Sequence, residues 1–69
     1  MEDKQQICNL LLPALRQTRC GEDIVCMIYH RYPSKDEYVN VIFRVGYVIP
    51  VNVTADSGKA MITDILRQL

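Results

Sequence analysis

The sequence lacks an excess of charge of either sign, a Cys-x-x-Cys pair, a basic N-terminal region and any apolar run long enough to cross a membrane. Eight Lys plus Arg balance eight Asp plus Glu in 69 residues. Lys4, Arg16, Arg19, Arg31, Lys35, Arg44, Lys59 and Arg67 are scattered among the acids, whereas small nucleic-acid binders gather a basic excess on one face. A phosphate-dominated function is therefore disfavoured and nucleic acid is an unfavoured partner. Cys8, Cys20 and Cys26 are odd in number, which signals neither a disulfide framework nor a zinc knuckle. Reduced thiols packed as small hydrophobes fit this usage. The opening Met-Glu-Asp-Lys-Gln-Gln is acidic and polar, where a signal peptide needs a positive region followed by an apolar run. The apolar runs fall far short of the roughly 18 residues of a membrane span. The expectation is a cytoplasmic protein without membrane contact.

What is present is apolar patterning. Hydrophobic residues make up 49% of the chain, rich in Val, Ile and Leu, unlike the apolar-poor, strongly charged composition of disordered segments. Residues 1–69 are expected to fold as one domain, since a second would have almost no core. A core this small rarely supplies more than about 3–5 kcal/mol, and chains of this size often lean on a partner subunit.

Ile7, Leu10, Leu11, Ala14 and Leu15 recur at the spacing of one helix face, which predicts a helix over roughly residues 3–18, kinked at Pro13 and closed near Gly21. Pro13 falls on its polar side. Residues 23–32, dense in β-branched and aromatic side chains, read as a first strand, and Pro33, Ser34, Lys35 and Asp36 as a four-residue turn. Strand two carries Val39, Val41 and Phe43 against Tyr38, Asn40 and Ile42. Strand three, from about Tyr47 to Thr54, carries Tyr47, Ile49, Val51 and Val53 against Val48, Pro50 and Asn52. The final segment, residues 56–69, begins with good N-cap residues and sets Met61, Ile62, Ile65, Leu66 and Leu69 in one stripe.

The second hairpin's register follows from Gly46. A three-residue loop, Arg44-Val45-Gly46, puts glycine at the left-handed position that ends a type I turn with a G1 bulge. Phe43 then faces Tyr47, Val41 faces Ile49 and Val39 faces Val51, all on one side, which makes that side the core face. Pro50 falls opposite Asn40, and a proline there fits an edge strand. With the four-residue turn, strand one directs Ile24, Cys26 and Ile28 inward and Val25, Met27, Tyr29 and Arg31 outward; a one-residue slip exchanges the sets.

The expected fold is α+β: helix, three-stranded antiparallel sheet, helix (αβββα), with both helices on one face of the sheet. In order and size this resembles double-stranded-RNA-binding domains, an analogy of topology. Those carry a lysine cluster at the start of the last helix, where this chain has Lys59 alone.

No constellation points to catalysis, a metal or a cofactor. Cys26 and His30, four residues apart on a strand, lie roughly 13 Å apart, too far to share a proton or an ion. Glu2-Asp3, Glu22-Asp23 and Asp36-Glu37 are adjacent acids, and two of these pairs flank strands, where solvated turn and capping positions are the ordinary explanation. Thr54 to Lys59 joins a strand to a helix N-terminus, where Ser57, Gly58 and Lys59 are of the right type to hold an anion, although Asp56 repels one and capping explains the same residues. The remaining anomaly is the outer sheet face, with Met27, Tyr29, Tyr38, Ile42 and Val48 as large groups framed by arginine, a pattern that marks interfaces. The expectation is a non-enzymatic interaction module that buries this face or an edge strand against a second copy or another protein. RNA or phosphate-ligand binding at the last helix is the alternative.

Overall fold

The computed structural model describes residues 3–69; Glu2, half of the first acidic pair, lies outside them. Helix α1 spans Lys4–Leu15, strands β1, β2 and β3 span Ile24–Arg31, Glu37–Phe43 and Val48–Asn52, and helix α2 spans Gly58–Gln68. The strands form one antiparallel sheet in the order β1-β2-β3. The αβββα order is that expected.

Asp3 caps α1 by accepting the Gln6 N–H at 3.1 Å. The helix ends three residues before the expected limit because Thr18 folds back on it, its N–H and hydroxyl both bonding the Leu15 carbonyl, at 2.9 and 2.7 Å. Pro13, exposed as its angular position predicts, thus sits in the last turn. The chain then turns so tightly that a Cβ at Gly21 would lie 2.3 Å from the Leu15 carbonyl oxygen. No side chain fits there, which makes Gly21 the joint between helix and sheet.

The second hairpin forms as expected. Phe43 donates to Tyr47 O at 3.0 Å, Gly46 donates to Phe43 O at 2.9 Å, and Gly46 has φ +99°. Val41 faces Ile49, Val39 faces Val51 and Asn40 faces Pro50, with β3 at an edge. The Phe43 and Tyr47 rings stack at 4.6 Å.

The first hairpin corrects the expected register. Its loop has three residues, not four: Tyr32 donates to Asp36 O at 2.8 Å and Lys35 donates to Tyr32 O at 2.9 Å. This repeats the bonding of the second hairpin, with Lys35 at φ +75° in the glycine position. Arg31 therefore pairs with Glu37, Tyr29 with Val39 and Met27 with Val41. Met27 is buried and Tyr29 packs against the core, whereas Cys26, Ile28 and His30 face outward. A bulge between Ile24 and Cys26 then restores Ile24 to the core side opposite Phe43. One extra residue shifts the alternation by one, so residues 24 and 27 both point inward.

One cluster forms the interior. Val39, Val41, Phe43, Val51, Val53, Ile24 and Met27 from the sheet side meet Cys8 and Leu15 of α1 and Met61 and Ile65 of α2. Both helices share that cluster, so they lie on the same side of the sheet. The opposite side carries no element among the described residues. None of the described helices is long and apolar enough to cross a membrane.

Candidate interaction surface

The outer face is a grid set by the ladder. Cys26, Ile42 and Val48 form one row, Ile28, Asn40 and Pro50 the next, and His30, Tyr38 and Asn52 the third. Ile28 is 46% exposed and Val48 45%; Ile42 and Tyr38 are half-buried among their neighbours. Tyr32, opposite Asp36, extends the grid beyond the third row, its ring edge-to-face with His30 at 4.4 Å and with Tyr38 at 5.9 Å. Tyr32, Ser34, Asp36, Tyr38, Asn40 and Pro50 line a shallow recess of about 350 Å³ at this end. Arg44 lies exposed in the turn at the other end, two residues after Ile42, its N–H bonded to Asp23 O at 2.8 Å.

Of the residues expected on this surface, the structure brings Tyr38, Ile42 and Val48 together and removes Met27 and Tyr29. Ile28, Tyr32 and His30 take their place. The only sequence signal for this exchange would have been a left-handed residue at position 35, and lysine gives none.

Both sheet edges are obstructed at mid-strand. The Gln5 side chain of α1 donates to Met27 O at 3.2 Å and accepts the Tyr29 N–H at 2.8 Å. It thereby occupies two backbone groups of β1 that an incoming strand would use. On β3 the bond from Val53 N to Glu37 O and the alternation of an antiparallel ladder direct the Pro50 nitrogen away from β2. The centre of that edge therefore has no donor.

The start of α2 is built for capping. Ser57 accepts the Ala60 N–H at 3.2 Å, and Gly58 is buried. The adjoining depression is lined by Lys59 and Arg67 but also by Asp56 and Asp64, so its charges balance. Asp56 Oδ2 is buried and meets no donor among the described residues. Its carboxyl is held above the usual range by the Asp64 carboxyl, which can bond it only through a shared proton, and then by burial. Nearby, Lys4 pairs with Glu37 and sits 5.9 Å from the Tyr29 ring centre. The Lys4 hydrogen bond lowers the Glu37 carboxyl.

Cys26 and His30 share the outer face of β1 but occupy the first and third rows. Burial pushes the Cys8 thiol up to about 11, so it remains protonated and poorly nucleophilic at neutral pH. Among the described residues no three His, Cys, Asp or Glu are placed to hold a metal. A second apolar surface lies on the helical side, where Ile7, Leu10, Leu11, Ala14 and Ile62 line a shallow groove of about 310 Å³. Comparison with protein-family models, with curated proteins and with solved structures finds no match for this chain.

Proposed function

We propose that the chain is a small non-catalytic interaction module that associates through the outer face of its sheet, in the first instance with itself. The observation that carries this reading is the uncovered grid of Ile28, Ile42, Val48, Pro50, Tyr38 and Tyr32 on the side opposite both helices. Such a contiguous apolar surface with polar surroundings is typical of contact sites. Edge-to-edge pairing, the other form of association that the strand pattern suggested, is disfavoured by Gln5 on β1 and Pro50 on β3. The anion reading of Ser57, Gly58 and Lys59 gains no support, because Asp56 and Asp64 adjoin the same depression.

The test is Ile42→Asp. Ile42 is central on the outer face and contributes nothing to the buried core, so the variant is expected to keep its circular dichroism and cooperative unfolding. Sedimentation of wild type should show mass rising with concentration and the variant should stay monomeric. Unchanged association of a folded Ile42→Asp would count against this face.

A further inference from the structure

We infer that two copies of this chain pack outer face on outer face with strands antiparallel, about a two-fold axis crossing the strands at Asn40, so that Arg44 of each lies on the Asp36 end of the other. This rests on the face reading above and adds the symmetry and the register of the pairing.

The outward residues of the central strand are Tyr38, Asn40 and Ile42; Asp36, which lines the recess with Tyr38 and Asn40, and exposed Arg44 in the second turn flank them at the same two-residue spacing. A two-fold axis in the interface and across the strands superposes position 40 + n on 40 − n. Asn40 then meets Asn40, Ile42 meets Tyr38, and Arg44 meets Asp36. In the same row Ile28 meets Ile28 and Pro50 meets Pro50. Along the central strand and the Asn40 row apolar groups thus fall on apolar or aromatic groups, while at the flanks Cys26 meets His30 and Val48 meets Asn52. The single central polar side chain falls on its own copy, and two carboxamides can each donate and accept. Both charges at the ends fall on opposite charges. Lys35, beside Asp36, and Asp23, whose carbonyl holds Arg44, likewise belong to ends that come together. The alternative axis, running along the strands, would set Arg44 over Arg44 and Asp36 over Asp36, and like charges reject that register.

The recess at the Asp36 end suits a guanidinium. Tyr32 and Tyr38 stand with ring planes at 82°, and the Asp36 carboxylate accepts a bond from Ser34 Oγ at 3.1 Å. A carboxylate has room for more donors, and arginine combines bidentate bonding to it with attraction to a tyrosine face. Packed sheets cross at about 30°, which offsets strand ends, and arginine is long enough to span such an offset. The grid itself is small. Three strands at about 4.8 Å spacing and five residues at about 3.3 Å cover roughly 15 by 17 Å with their side chains. Standard interfaces bury about 800 Å² per partner, so the dimer is expected to be weak.

The experiment is sedimentation equilibrium of the full chain between about 10 μM and about 1 mM, where a sub-standard interface is measurable. Wild type is compared with Arg44→Asp, Asp36→Arg and the double exchange. Both positions are exposed, so the variants should fold as wild type by circular dichroism. Each single reversal should weaken association at least about tenfold, and the double exchange should restore it to within about threefold, as for directly opposed charges. A dimer indifferent to the reversals but lost in Ile42→Asp overturns the register and spares the face. A dimer lost instead in Leu10→Glu overturns both in favour of the helical groove. A wild-type chain monomeric throughout overturns the second copy as occupant.

Discussion

At the scale of single residues, Lys35 and Asp56 carry most of the information. Lys35 holds a left-handed backbone at φ +75°, which costs a side-chain-bearing residue about 1–2 kcal/mol, while glycine adopts it freely at some entropic cost. Lys35→Gly should therefore stabilise the fold by about 1 kcal/mol in urea denaturation; a loss of stability would contradict the turn geometry. Asp56 and Glu37 act in opposite directions with pH. The Asp56 carboxyl is raised by Asp64 and burial, so the fold binds its proton more tightly than the unfolded chain does, and stability grows as pH falls from neutral through that raised value. The Glu37 carboxyl is lowered by Lys4. Its contribution is complete above the ordinary value of 4.5 and disappears as pH falls through the lowered one. Asp56→Asn should raise stability at pH 7, with the gain shrinking on acidification and gone below about 3.8, the ordinary aspartate value. Denaturant unfolding of both proteins from neutral to acid pH measures this, and a pH-independent difference would refute the Asp56–Asp64 coupling.

At the scale of elements, strand register was legible wherever glycine marked the turn and hidden wherever it did not. Gly46 announced the second hairpin, and the pairs Val39 with Val51 and Val41 with Ile49 followed. The first hairpin uses the same bonding with lysine in place of glycine, and a turn counted one residue too long exchanged Met27 and Tyr29 for Ile28 and His30. The bulge near Val25 keeps Ile24 inward in both registers, so the burial of Ile24 does not distinguish them. Edge protection shows the same division. Pro50 in β3 reads directly as an edge strand, whereas Gln5 guards β1 from 24 residues away and nothing local reveals it. Gln5→Ala should remove two bonds to strand backbone and cost about 1–2 kcal/mol. It should also speed hydrogen exchange at the Tyr29 amide; unchanged protection there would mean the edge is shielded by something else.

At the scale of the whole molecule, a single cluster from both helices and one sheet face stabilises the fold, and the other face is left to water or to a partner. A 69-residue chain with one such core has little stability to spare, so burial of Ile28, Ile42 and Val48 in a dimer would add stability that rises with concentration. The periodicities of the chain by themselves determined the αβββα order, the apolar stripe of α2 and the one-sided placement of the helices, and Gly46 added the second hairpin. Helical and strand repeats are local properties, and two stripes must find one apolar sheet face. Tertiary structure alone decided which side of β1 is wet, what caps its edge and which charges meet at the start of α2. Each depends on a residue taking a conformation or a distant partner that its own type does not favour, Lys35 in a glycine position and Gln5 on a strand, and only the packed chain makes those choices the lowest in free energy.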